Sequence, residues 1–295
     1  MGHKNKKSIH MEMNEVLQGM LHKGVGTSKH AQKISGNSTA GYIFSFNTYK
    51  AYKKHASYFL NFAKAKYNCK TLAQARQYAD EWLQTRIDSK LSAYTIQLER
   101  SALCKLYGDS AADYIKTPPR LRKNIVRSRR QAVRDAHFSE ANHADFCEFC
   151  RSTGLRRAEL RALTGDKVIQ ENGEWYIIVN KMSKGGRPRK APIVGNVAKI
   201  VGMMQAAGTG KVFEKIPNGA DIHGYRAEYA TQVYLNHARP LKSLPKEEIY
   251  CCRKDRRGVW FDRKAMGYAS AALGHSQGRV SVVGEHYIRL PNNIS

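Results

Sequence analysis

The chain has 295 residues, enough for two domains that each bury a core. Fifty Lys and Arg stand against 24 Asp and Glu, a formal charge of +26, which a compact fold tolerates best with a polyanion bound and which therefore points to nucleic acid. The apolar runs are too short to cross a bilayer, and the charged start MGHKNKKSIHMEM lacks the apolar stretch of a secretory signal, so neither a membrane nor export is expected and the cytoplasm is the expected location.

Residues 1–40 mix Lys, His, Gly and Ser with little sustained periodicity. They are expected to form a mobile basic arm with room for a short helix over 11–21. From 46 to 107 the pattern turns helical, within an expected helical DNA-binding domain over 41–115. Tyr49, Tyr52, Ala56, Phe59, Ala63 and Tyr67 recur at three- and four-residue steps and are expected to be core, not a base-stacking platform. Lys53 and Lys54 fall off that stripe and are candidate DNA contacts. Thr71 and Gln74 frame a capping box that opens a second helix, with Leu72, Ala75, Ala79 and Trp82 inward. A third helix is predicted over 92–107, ended by Gly108.

Residues 116–136 change character. Pro118 and Pro119 stop the preceding helix, and six Lys or Arg fall between Arg120 and Arg130 without one acid. Arg120, Arg122, Lys123 and Arg127 are read as phosphate contacts, a solvated linker being the alternative. A mixed domain over 137–295 follows. Helices are predicted at 137–151, 155–163, 197–207, 224–238 and 263–273. Strands at 175–179 and 190–194 flank a turn rich in Gly, Pro and Lys/Arg at 182–189. The basic stretch between Ala238 and Gly267 reads as a DNA-contacting loop or a solvated excursion. Cys147 and Cys150 form a single CxxC on a predicted helix, and adjacent Cys251 and Cys252 make a poor second pair, so burial is expected there and no metal site.

Four short segments of the mixed domain carry the candidate chemistry. Thr153-Gly-Leu-Arg-Arg-Ala-Glu-Leu160 puts Arg156 at a helix start and Glu159 one turn on. Lys184 lies in the hairpin turn, in SKGGRPRKAPI. His223 and Arg226 are three apart on one helical face. His275, in Leu-Gly-His, is followed by Tyr287, the only tyrosine downstream of it. Transfer of a phosphodiester between oxygens gathers charge on the non-bridging oxygens, for which Arg156 and Arg226 are the natural bidentate donors. Tyr287 would be the nucleophile, Lys184 the general acid for the leaving hydroxyl, and His223 and His275 hydrogen-bond donors or proton carriers.

In this order the motifs resemble those of the tyrosine recombinase, or phage integrase, family: TGLRxxEL, a hairpin lysine, HxxR, LGH, then the tyrosine. The resemblance covers roughly 137–290, and the helical region before it matches the family's core-binding domain in character. It implies a mainly α fold with a small β-sheet: a helical, SAM-like core-binding domain plus a mixed α+β catalytic domain. It implies site-specific cleavage and rejoining of double-stranded DNA through a 3′-phosphotyrosyl intermediate, for integration or excision of a mobile element, in a homotetramer on DNA. An accessory directionality or DNA-bending protein is a possible partner. Glu159 takes a supporting role, orienting Arg156 and a histidine, and no cofactor is implied because the phosphotyrosyl bond keeps the bond energy. Two rivals stand beside this reading: a type IB-like topoisomerase, and a basic DNA-binding protein without catalysis.

Overall fold

The computed structural model describes residues 7–121, 138–180, 188–253 and 256–290. The chain divides into two compact units, Met1–Ile125 and Val126–Ser295.

The first unit is helical: α1 Ile9–Gly24, α2 Lys29–Ile34, α3 Phe46–Tyr67, α4 Leu72–Arg76, α5 Ala79–Asp88 and α6 Ala93–Tyr107. Ser8, Ser45 and Ser92 cap α1, α3 and α6, each oxygen accepting a backbone N–H of the first turn. The predicted capping box forms at Thr71 and Gln74, and Gly108 ends α6 in the left-handed region at φ 76°. Ala56, Phe59, Leu60 and Ala63 of α3 are buried, with Tyr49, Tyr52 and Tyr67 packed at the rim, so the aromatic stripe is core.

Two expectations are corrected here. The helix opened by Thr71 is two helices, because Tyr78 N–H donates to Ala75 O in a tightened turn; the break sets the Tyr78 ring flat on Tyr67 at 3.6 Å. The segment expected as a mobile arm contributes α1 to the core. Ile9, Met13, Leu17 and Leu21 repeat every four residues and are all buried against α3 and α6. α2 buries no residue, and the residues flanking it, 25–28 and 35–41, are mostly exposed.

The second unit contains α7 Ala144–Thr153, α8 Arg157–Ala162, β1 Val168–Glu171, β2 Glu174–Val179, β3 Arg189–Pro192, α9 Val197–Ala207, α10 Ile222–His237, β4 Ile249–Cys251, β5 Trp260–Asp262, α11 Arg263–Ala272 and α12 Val280–His286. Strands β1–β2–β3 form an antiparallel sheet in that order. β1, which the sequence did not suggest, is joined to β2 by Asn172-Gly173, both at positive φ as a two-residue hairpin turn requires. The expected first helix of this unit begins late, at Ala144, after a 3-10 turn over Ala141–His143.

One core joins α7, α9 and the sheet. The other joins α10, α11, α12 and the β4–β5 pair. The stretch between Ala238 and Gly267 is thus no solvated excursion: Tyr250, Cys252 and Phe261 are buried in this second core. Cys147 and Cys150 are buried on α7, as expected. Tyr268, which lies on the helix predicted over 263–273 and reads from the sequence alone as a core tyrosine, is instead exposed and meets the His237 ring edge-on at 4.3 Å.

Candidate active site

The site grows from two turns that bring backbone carbonyls to buried Arg226 and half-buried Arg156. Gly154 ends α7 in the left-handed region at φ 57°, a conformation that costs glycine nothing. A Cβ there would lie 2.1 Å from the Tyr229 ring. The carbonyl of Gly154 accepts from Arg226 Nη1, and Leu273 O, at the end of α11, accepts from Arg226 Nη2. Arg226 is 1% exposed. Burial, then the neighbouring Arg156, push its guanidinium down to about 10, which leaves it charged at neutral pH.

Arg156 stands just before α8 and is held by the same carbonyl, its Nη2 donating to Leu273 O at 3.1 Å. Its backbone N–H and Nη1 donate to the two oxygens of Glu159, at 2.7 and 2.8 Å. Arg189, the first residue of β3, donates from Nη1 and Nη2 to the same carboxylate at 2.8 and 2.7 Å, and from Nε to Ala272 O at 3.0 Å. Burial alone would raise the Glu159 carboxyl; Arg189, and then Arg156, outweigh it and hold it at about 2.

The sequence pattern puts Arg189 in the turn at 182–189, whereas the structure makes it the first residue of β3 and part of the site. Strand alternation carries a usable signal, since Arg189 lies two and four residues before inward-facing Ala191 and Ile193. So does the chemistry, because a buried carboxylate has more acceptor sites than one guanidinium fills.

Tyr287 follows α12 and is 7% exposed. The Arg226 guanidinium lies 5.8 Å from the centre of its ring. The rings of His223, an exposed residue of α10, and His275 each lie 6.1 Å from it. His275 follows the turn after α11, where its N–H donates to Ser270 O at 2.9 Å. Burial, then Arg226, Arg156, Arg279 and Arg189, push its imidazole down to about 4, so it is neutral at neutral pH. Arg226 Nε and His275 Nε2 are buried and meet no hydrogen-bond partner among the described residues. The arrangement offers an oxyanion two guanidiniums and a neutral imidazole beside a tyrosine ring.

Of the predicted site residues, Arg156, Glu159, His223, Arg226, His275 and Tyr287 come together. Lys184 lies outside the described residues, as do Arg122, Lys123 and Arg127. In the first unit Lys53 is half-buried and Lys54 exposed, the latter's ammonium 5.9 Å from the Tyr58 ring. Arg120 is exposed, with its guanidinium 5.3 Å from the Tyr94 ring. No group of three or more His, Cys, Asp or Glu among the described residues is arranged to hold a metal, and no described helix is long and apolar enough to cross a membrane.

No protein-family profile matches the chain, and no curated protein matches it. Solved structures do. The XerH site-specific recombinase bound to palindromic difH substrate, in a post-cleavage complex, is 13% identical. The match covers 96% of this chain and 91% of that chain at a TM-score of 0.51. The Tn1549 transposon integrase in complex with transposon right end DNA is 14% identical over 97% and 96% of the two chains, at a TM-score of 0.48. At such identity the likeness to XerH is one of fold. The chain has the tyrosine recombinase fold, a helical unit followed by a mixed α+β unit.

Proposed function

We propose that this chain is a site-specific DNA recombinase that cleaves and rejoins strands through Tyr287. The observation that carries the reading is the convergence of Arg156 and Arg226 on one carbonyl, Leu273 O, with the Arg226 guanidinium 5.8 Å from the Tyr287 ring. A pair of fixed guanidiniums beside a phenol suits attack on a phosphodiester, and their carbonyl and carboxylate anchors hold them in place before the substrate arrives.

In the proposed step the Tyr287 oxygen attacks phosphorus and the bond from phosphorus to the 5′ oxygen breaks, leaving a 3′-phosphotyrosyl link. Arg156, Arg226 and His275 donate to the non-bridging oxygens. The phenol proton passes to His223 or to solvent, and Lys184 protonates the leaving 5′ oxygen. A 5′-hydroxyl from a second duplex then attacks the link, reverses these roles and releases Tyr287. Exchange between two duplexes takes four such cleavages, which four copies of the chain would supply. Integration or excision of a mobile element is the process this chemistry serves.

A nicked duplex selected from a random-sequence pool for binding to this chain provides the test. The native chain is expected to form a covalent adduct that resists denaturation, and Tyr287→Phe to form none; an adduct that persists in Tyr287→Phe would rule the reading out. Arg156→Ala should lose roughly a hundred- to a thousandfold in cleavage while DNA affinity falls far less. Equal losses would favour a protein that only binds DNA. Strand exchange between two duplexes, as opposed to relaxation of one, separates a recombinase from a topoisomerase.

A further inference from the structure

The β4–β5 hairpin is the seat of the helix that precedes Tyr287. Gly284 of α12 lies so close to it that an added Cβ would stand 3.3 Å from Tyr250 Cε1 on β4 and 3.6 Å from Cys252 Sγ, besides Met266 Cε at 2.6 Å. α12 also ends in a way that leaves carbonyls to be met. Tyr287 and Ile288 N–H both donate to Val283 O, at 2.9 and 3.0 Å. The N–H that a continuing helix would aim at Gly284 O is thereby turned away.

Arg256, on the loop between the two strands, meets that end. Its Nη1 donates to Gly284 O and, at 3.1 Å, to Ile288 O. One nitrogen therefore ties together backbone on both sides of Tyr287. The guanidinium is steadied by the buried Phe261 ring, 5.4 Å away. Nearby, Arg253 N–H donates to Glu285 Oε1 at 2.9 Å. A cation on the last carbonyls of a helix is favoured by both hydrogen bonding and the helix dipole.

We propose that Arg256 is a positioning residue for strand cleavage: carried by the hairpin, it holds the end of α12 so that the Tyr287 phenol faces phosphate bound by Arg156 and Arg226. The inference rests on the reading of Tyr287 as nucleophile. Arg256 acts on backbone, so its removal leaves the phosphate-binding groups in place and misplaces only the attacking one. Misplacement of a reacting group by about 1 Å can cost on the order of a hundredfold in rate.

The test uses the full chain and the same nicked duplex. In Arg256→Ala the rate of adduct formation at saturating DNA should fall roughly ten- to a hundredfold, with DNA affinity unchanged. Amide exchange should quicken at 283–288 and stay unchanged along α10. Arg256→Lys, which keeps a cation near the carbonyls, should recover most of the rate. A native cleavage rate in Arg256→Ala would overturn the inference, as would a loss of affinity matching the loss of rate or exchange that quickens throughout the second unit. An adduct that persists in Tyr287→Phe with Arg256 intact is a different failure, that of the reading beneath the inference.

Discussion

Burial beside Arg226, Arg156, Arg279 and Arg189 holds the His275 imidazole at about 4, while the same cluster holds the Glu159 carboxyl at about 2 against the raising effect of burial. Both shifts make stability rise with pH, over different windows. An unfolded histidine takes up a proton near pH 6.5 that folded His275 refuses until about 4, so stability falls as pH drops through that interval. Glu159 contributes stability above its ordinary value of 4.5, and this is lost as pH falls toward about 2. Denaturant midpoints measured from pH 7 to 4 should therefore fall less steeply in His275→Gln than in the native chain. An identical slope in the two proteins would show that His275 titrates normally. The sequence marks both residues by motif position, but neither shift is visible in it, since each depends on charges from β3, α10 and the turns around α8 and α11.

At the scale of elements, the site depends on how tightly α7 meets α10. Gly154 has both a positive φ and a neighbouring Tyr229 ring 2.1 Å from where a Cβ would stand. Its carbonyl anchors Arg226. Gly154→Ala combines backbone strain with overpacking, together about 3 kcal/mol. The variant should unfold at lower denaturant and lose cleavage beyond what its remaining folded fraction explains, because Arg226 shifts with the carbonyl. Unchanged stability in that variant would show that the turn relaxes. Most elements were legible from periodicity and caps: α3, α6 and α9 follow the predicted patterns closely. β1 escaped because its four residues are too short for alternation to stand out, although Asn172-Gly173 marks its turn. The short helix expected over 11–21 forms as α1, Ile9–Gly24, but its place in the core was not legible, because its four-residue apolar repeat is set among His, Glu, Asn and Gln that dilute it.

For the whole molecule, a formal charge of +26 predicts DNA binding dominated by released counterions. The logarithm of affinity should fall linearly with the logarithm of salt concentration, by about 0.9 for each phosphate neutralised. Lys54 and Arg120 are exposed on the first unit. Replacing either with Gln should weaken binding alike on every duplex and reduce that slope by about 1. A slope that does not change would remove the residue from the DNA-binding surface. The two units, Met1–Ile125 and Val126–Ser295, follow the composition shift around the prolines at 118 and 119.

Read alone, the sequence pointed to a nucleic-acid partner through its charge, and it determined the helical character of the first unit through periodicity and six of the residues that meet in the second. Those signals are local or additive: a motif's order, a cap, a repeat or a sum of charges survives without knowledge of the fold. The tertiary structure decided what depends on contact between distant segments. It made Arg189 the second partner of Glu159 across thirty positions, drove His275 to neutrality, and turned a basic excursion into the hairpin whose Arg256 grips the backbone around Tyr287. Burial and proximity set those properties, and neither is written in any one stretch of chain.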